Sequence, residues 1–163
     1  MAERYKVRVT KDHLVFSSGH FISYEGNKCE RLHGHNYRTA VEIEGDLDEN
    51  RYVFDFIALK NRTKVITDEL DHRMLLPTQN SLIAIEAGPK SIHVRYRDRE
   101  WLFPKEDCVL LPIENTTTEL LARYIAQRLL EELHRHHQYE PRVLRVEVEE
   151  NLGQSATYEW RPG

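Results

Sequence analysis

The sequence has little cysteine, no excess of basic charge, no long apolar run and no internal repeat. Its two cysteines, Cys29 and Cys108, cannot build a disulfide framework, so we expect a reduced, cytoplasmic protein in which Cys29 is free to become a thiolate. The balance of 23 basic and 27 acidic residues excludes an extended basic surface, so no nucleic-acid partner is expected. No stretch approaches the roughly 18 apolar residues of a bilayer-spanning helix, so no membrane partner is expected either.

Hydrophobic periodicity predicts strands and helices around one core. A chain of 163 residues without a linker or low-complexity tract fits a single domain, 1–163. The predicted elements are strands 5–22 and 33–45, a helix at about 55–70, an added β-meander at about 82–111, a helix at about 116–135, and a hairpin of 142–150 with 156–160. This order indicates an α+β fold whose sheet is covered by helices on one face.

Both predicted helices have recognisable starts. Asp55 is the expected N-cap of the first, and Thr116 with Glu119 matches the capping-box pattern at the second. The stripe that should face the core contains Leu59, Arg62, Ile66 and Leu70 in the first helix and Leu121, Ile125, Leu129 and Leu133 in the second. Cys108, at the exit of the meander, is expected to pack and not to react.

The stretch from Cys29 to His35 carries the densest set of metal-binding side chains. His33 and His35 are separated by one residue, so on an extended strand both point to the same face. His20 lies on the preceding predicted strand, and antiparallel pairing would bring the three imidazoles around one divalent ion. Three neutral imidazoles with an open fourth position are typical of catalytic zinc, whereas Cys29 as a fourth ligand would make the site structural. The spacing leaves both possibilities open.

Two further positions carry carboxylates in informative places. Asp71 beside His72 could orient that histidine, which could then activate a thiol; the alternative is an exposed acid and base at a helix end. Glu150 is in phase with the apolar residues of its strand, where an unpaired charge would cost several kcal/mol. Either Glu150 lies beyond the core in water, or it meets a ligand edge with two N–H groups.

Taken together, these residues resemble the 6-pyruvoyl-tetrahydropterin synthase family, and most closely its 6-carboxy-tetrahydropterin synthase branch. The resemblance covers residues 16–76, resumes at about 115–158, and is interrupted by the predicted meander, which compact members of the family largely lack. The matching pieces are Ser18-Gly19-His20, Cys29-x-x-x-His33-Gly34-His35, Val53-Phe54-Asp55-Phe56, Leu59-Lys60, Leu70-Asp71-His72, Thr117-Thr118-Glu119, and Glu150 followed eight residues later by Tyr158. It implies the T-fold (tunnelling fold), an antiparallel four-stranded sheet with two helices on one face.

The resemblance also implies roles for individual residues. His20, His33 and His35 would hold Zn²⁺ as the cofactor. Cys29 would be the proton-abstracting base, with Asp71 and His72 completing its relay. The pterin ring would be gripped through its 2-amino and N3–H edge and seated by the residues Glu150, Thr117 and Thr118. Lys28, Arg31 and Arg73 are candidates for contacts to phosphate. Subunits would form a homo-oligomer, a trimer or hexamer, with active sites at the interfaces.

The implied reaction converts 7,8-dihydroneopterin triphosphate to 6-carboxy-5,6,7,8-tetrahydropterin, releasing acetaldehyde and triphosphate, in the deazaguanine (queuosine) pathway. Two alternatives stay within reach of the same motifs. The first is the pyruvoyl-forming synthase, which eliminates triphosphate without acetaldehyde. The second is a non-catalytic pterin- or purine-binding protein or a structural zinc protein. A zinc hydrolase that does not need Cys29 is a rival from another reaction class.

Overall fold

The structure, a computed structural model, describes residues 3–163, apart from the side chain of Lys11. The strands are β1 (Tyr5–His20), β2 (Ser23–Tyr24), β3 (Lys28–Cys29), β4 (His33–Gly45), β5 (Arg73–Pro77), β6 (Ala84–Ala87), β7 (Ser91–Tyr96), β8 (Arg99–Pro104), β9 (Cys108–Leu111), β10 (Val143–Asn151) and β11 (Gln154–Trp160). The helices are α1 (Phe56–Leu70) and α2 (Thr118–His137), and a short 3-10 helix spans Lys105–Asp107.

One sheet of six strands carries the fold, in the order β11-β10-β4-β1-β5-β9. Its first four strands pair antiparallel, which confirms the predicted antiparallel sheet and the α+β class. The sequence did not predict β5 and β9, which extend the sheet in parallel beyond β1. Both are short apolar segments that pair with residues distant in the chain, so local periodicity carries no sign of their partners.

The predicted meander exists, but its end needs correction. β6, β7 and β8 form a separate three-stranded antiparallel sheet over 84–104. The last part of the predicted range, Cys108–Leu111, leaves this sheet and pairs with β5 in the main sheet. The apolar residues of Cys108–Leu111 are compatible with a strand in either sheet. The sheet that they join is determined by the neighbouring strand in the folded chain, which is β5.

The two helices lie against the main sheet and bury its apolar face. All the leucines and isoleucines of the two predicted stripes are buried, while Arg62 is half-buried and pairs with Glu132 at 3.3 Å. Asp55 is the N-cap of α1 and accepts a hydrogen bond from the Ala58 N–H at 2.6 Å, as predicted. Neither helix of the described chain is long and apolar enough to cross a bilayer.

The start of α2 differs from the predicted capping box. Thr117, and not Thr116, is the N-cap, and its side chain makes no capping hydrogen bond. Thr116 is fully buried, and its hydroxyl donates to the Phe21 carbonyl at 3.3 Å. The tertiary contact with the end of β1 therefore takes the hydroxyl that the local pattern assigns to the helix.

A second apolar cluster joins the meander to the main sheet. Its buried members are Phe21, Met74, Leu76, Ile83, Ile92, Val94 and Tyr96. Cys108 packs against this cluster, half-buried, as predicted. Cys29 packs against it as well, which ties the candidate base to the inserted segment.

Candidate metal centre and neighbouring carboxylates

The register of β1 against β4 places the three predicted metal ligands together. His20 lies directly opposite His33, and Ser18 lies opposite His35. His20 Nε2 is 3.2 Å from His33 Nε2, and His35 Nε2 is 3.0 Å from Glu150 Oε1. One ligand atom from each of these four residues lies within 4.8 Å of all the others. The predicted histidine cluster is therefore present, with Glu150 as a fourth member.

Backbone carbonyls fix which nitrogen of two rings carries the proton. The Nδ1 of His20 lies 3.0 Å from the Thr116 carbonyl, and the Nδ1 of His33 lies 2.8 Å from the Arg31 carbonyl. A carbonyl only accepts, so each neutral ring donates from Nδ1 and keeps a lone pair on Nε2. The two Nε2 lone pairs then face each other across 3.2 Å. A cation between them would turn this repulsion into binding, and such carbonyl contacts are what orient metal-binding histidines.

Burial supports the neutral form of the His20 ring. Burial lowers the pKa of His20 to about 4, outweighing the Thr116 hydrogen bond, and the His33 and His35 rings lower it further. His35 Nε2 is buried and has no hydrogen-bond partner within the described chain, although Glu150 Oε1 lies 3.0 Å away. An unpartnered buried nitrogen is costly unless something binds it. Three imidazole nitrogens and one carboxylate oxygen fit zinc or a similar divalent transition metal.

The structure separates Cys29 from this ligand group. Cys29 lies on β3, and its Sγ contacts the Glu30 carbonyl at 3.5 Å while its side chain packs against the second apolar cluster. Burial raises the pKa of the Cys29 thiol, an effect that nearby Arg99 opposes and Glu30 reinforces. Within residues 3–163, the possible fourth protein ligand is Glu150 and not Cys29.

Asp71 and His72 form the predicted pair at the end of α1. Asp71 Oδ2 lies 2.8 Å from His72 Nδ1, and Asp71 Oδ1 accepts the Ser17 N–H at 2.7 Å. Burial acts to raise the pKa of Asp71, but the Ser17 N–H and the His72 ring outweigh it and lower the pKa. The backbone of His72 is left-handed, with φ at 56°, and its N–H donates to the Ser17 carbonyl. The pair is thus anchored to β1, while the His72 side chain is 83% exposed.

A cleft of about 630 Å³ is lined both by His72 and by His33 and His35 of the histidine cluster. Its lining includes His72, Arg73, Leu32, His33 and Asn36. Within the described chain no hydrogen bond joins Cys29 to His72, so the three residues of the predicted relay do not form one continuous chain of contacts. Arg73 lines this cleft, whereas Lys28, another predicted phosphate ligand, pairs with Glu25.

The predicted substrate residues lie next to two different members of the histidine cluster. Thr117 and Thr118 are half-buried at the start of α2, directly after the Thr116 carbonyl that holds His20. Glu150 is near the end of β10, with a side chain that is 27% exposed. The resemblance implies that Glu150 is a pterin ligand, and the structure places its carboxylate within 3.0 Å of His35 in the candidate metal-binding group.

Two features of the site were not predicted by the sequence motifs. The carbonyls of Thr116 and Arg31 orient the histidines, but a backbone carbonyl leaves no trace in residue type. The sequence motifs give no role to Glu30, yet its Oε2 lies 3.8 Å from His33 Nε2. Its position three residues before a candidate metal ligand is the signal that points to it.

The comparisons with known proteins agree with this geometry. The family model described as 6-pyruvoyl tetrahydropterin synthase matches residues 8–161. A Methanocaldococcus jannaschii protein with the provisional name 6-carboxy-5,6,7,8-tetrahydropterin synthase is 34% identical over 146 residues, covering 89% of each chain. The Haemophilus influenzae 6-carboxy-5,6,7,8-tetrahydropterin synthase is 33% identical over 133 residues, covering 75% of this chain and 81% of that protein.

A solved structure matches over nearly the whole length. It is a Plasmodium vivax 6-pyruvoyltetrahydropterin synthase in which a catalytic glutamate is replaced by alanine, with a TM-score of 0.90 and 30% identity. The match covers 99% of this chain and 100% of that one. The six-stranded sheet with two helices is therefore a T-fold, as the resemblance implied. With a family model matching residues 8–161 and relatives similar over most of their length, the chain belongs to the 6-pyruvoyl tetrahydropterin synthase family.

Proposed function

We propose that this protein is a zinc-dependent enzyme that converts 7,8-dihydroneopterin triphosphate to 6-carboxy-5,6,7,8-tetrahydropterin, releasing acetaldehyde and triphosphate. The observation that carries the proposal is the pair of carbonyl-oriented imidazoles, His20 and His33, whose Nε2 atoms face each other 3.2 Å apart. The relatives named 6-carboxy-5,6,7,8-tetrahydropterin synthase favour this product. The product would enter deazaguanine (queuosine) synthesis in the cytoplasm.

Zinc, held by His20, His33 and His35, would supply Lewis-acid polarisation next to the carbon that loses a proton. Glu150, half-exposed beside this centre, would accept the two N–H groups of the pterin edge and so orient the ring. Thr117 and Thr118, at the start of α2, would border the ring.

Proton transfer would fall to Cys29, Asp71 and His72. The Asp71 carboxylate accepts the Nδ1–H of His72, which leaves His72 Nε2 free to take or give a proton. In the described part of one chain the exposed His72 ring makes no hydrogen bond with Cys29, which suits a homo-oligomer, a trimer or hexamer, in which another copy completes the site. A thiol placed next to such an imidazole ionises more easily than one in an apolar pocket.

The test is product analysis. Zinc-loaded protein incubated anaerobically with 7,8-dihydroneopterin triphosphate should give the 6-carboxy product, acetaldehyde and triphosphate by mass spectrometry. Cys29→Ser should lower turnover by on the order of 100-fold or more with zinc still bound, because a positioned acid–base group contributes about 10²–10⁴. Cys108→Ser is the matched control and should keep full turnover. Zinc binding without turnover would contradict the proposal. Full turnover by Cys29→Ser would show that Cys29 is not the base, as either a zinc hydrolase or a reaction with another base requires.

A second candidate is the pyruvoyl-forming reaction with Glu30 as the base. Glu30 Oε2 lies 3.8 Å from His33 Nε2, whereas the Cys29 side chain packs against the second apolar cluster. The similar Plasmodium vivax 6-pyruvoyltetrahydropterin synthase has a catalytic glutamate. This candidate predicts triphosphate release without acetaldehyde, loss of turnover in Glu30→Gln, and little effect of Cys29→Ser.

A further inference from the structure

The inserted meander holds the segment that carries Cys29 and Glu30. Arg99, at the start of β8, donates from Nη1 to the Cys29 carbonyl at 3.0 Å and from Nη2 to the Glu30 carbonyl at 2.9 Å. Just before it, Arg97 donates to the Asn27 carbonyl at 3.0 Å. Two donors of one planar guanidinium thus hold two consecutive carbonyls, a geometry that a lysine cannot reproduce.

Arg99 is itself held in place by two stacked aromatic rings. Its guanidinium lies 4.7 Å above the centre of the Trp101 ring, a cation–π distance. Trp101 stacks on Phe21, with ring centres 4.7 Å apart and planes 18° from parallel. Phe21 directly follows His20 in the chain. A short path of contacts therefore connects a metal ligand, through two stacked aromatic rings, to the two candidate bases.

Few backbone hydrogen bonds hold this segment. β2 and β3 are two residues each, and the turn between them contains Glu25 and Gly26 with positive φ. Beyond this hairpin, the next backbone bond is from the Glu30 N–H to the Ile22 carbonyl at 3.0 Å. Strands this short have little stability of their own, so side chains from other segments hold the hairpin. Asn80 and Asn115 donate to Ser23 at its first strand, while Arg99 of the meander donates to the Cys29 and Glu30 carbonyls at its second.

We propose that Arg99 is a positioning residue, and that the inserted meander serves to hold the backbone of Cys29 and Glu30 in its observed position. This inference rests on the proposed function for its kinetic part only. Arg99 touches backbone carbonyls and not substrate, so it acts through the two residues that it holds. Its fixed positive charge also opposes the effect of burial on the pKa of the Cys29 thiol, while Glu30 is the acidic group that acts in the opposite sense.

The test compares Arg99→Gln with Arg95→Gln. Arg95 lies on the same small sheet and pairs with Glu86, so its loss removes an arginine without touching the segment. Arg99→Gln should lower kcat at least tenfold, change KM less than threefold and leave zinc content unchanged. Arg95→Gln should have the wild-type kcat, KM and zinc content. Arg99→Lys, which keeps the charge but not the paired donors, should recover only part of kcat and stands in if Arg99→Gln does not fold.

A second readout does not depend on turnover. Iodoacetamide labelling, followed peptide by peptide across pH, should show the Cys29 profile moved to higher pH in Arg99→Gln. Cys108 in the same molecule is the internal reference and should not move. If the wild-type protein fails to turn over the pterin, the proposed function is wrong, yet the labelling result still decides on Arg99. An unchanged Cys29 profile and kcat, or equal shifts at Cys108, would overturn the inference.

Discussion

Replacing His33 with alanine separates metal binding from packing. The His33 side chain is 38% exposed and its main polar contact is with the Arg31 carbonyl, so its removal costs about 1 kcal/mol of folding free energy. It also removes one of two nitrogen lone pairs that face each other across 3.2 Å. In the presence of a chelator, we therefore expect the free energy of unfolding of His33→Ala to be within about 1 kcal/mol of the wild-type value.

With zinc present the two proteins should differ strongly. A ligand that binds only the folded state at 100 times its Kd stabilises that state by about 2.7 kcal/mol. For a chain of this size, 1 kcal/mol moves the Tm by roughly 2–4 °C, so zinc should raise the wild-type Tm by roughly 5–11 °C. His33→Ala has lost one of three imidazole ligands, and we expect most of that rise to disappear.

The assay is thermal unfolding with excess zinc and with chelator, together with zinc content by mass spectrometry. His93→Ala is the matched control, because His93 is a half-exposed histidine on the meander that contacts Glu100 at 3.5 Å. It should keep the full zinc-dependent rise. If zinc raises the Tm of His33→Ala as much as that of the wild type, the metal assignment is refuted. If His33→Ala loses several kcal/mol of unfolding free energy in the presence of chelator, the packing argument is refuted.

Three further outcomes are expected. Asp71→Asn should lower kcat by on the order of 100-fold with zinc content unchanged, because an amide cannot stabilise charge on His72; near-wild-type turnover would exclude the pair from the relay. Glu150→Gln should raise KM with zinc still bound, and loss of zinc would instead make Glu150 an essential ligand. Burial acts to raise the pKa of Glu42, but Lys6 and Arg145 outweigh it and lower the pKa; this carboxylate therefore stabilises the fold above its unfolded-state pKa, about 4.3, and the gain is lost as pH falls through the folded value. Urea unfolding between pH 6 and pH 3 should show a shallower fall in Glu42→Gln than in wild type, and parallel curves would contradict the pairing.

The sequence determined the features that depend on short-range geometry. The alternation of a strand puts His33 and His35 on one face, and the helical period puts Leu59, Ile66 and Leu70 on one side of α1. Asp55 caps that helix by accepting a hydrogen bond from the Ala58 N–H, three residues further along. These features need no knowledge of the rest of the chain, so they could be predicted from residues close in sequence.

Long-range pairing decided the rest. β5 and β9 join the main sheet in parallel. At the start of α2, the Thr116 hydroxyl does not form the predicted capping box, because it donates to the Phe21 carbonyl just after β1. Glu150 comes within 3.0 Å of His35 because β10 pairs with β4 in one particular register, with Val148 opposite Thr39. Cys29 packs against the second apolar cluster, and its carbonyl accepts a hydrogen bond from Arg99, 70 residues further along. Residue type supplied the possible ligands and bases, but only the packing of distant segments determines which of them share one site.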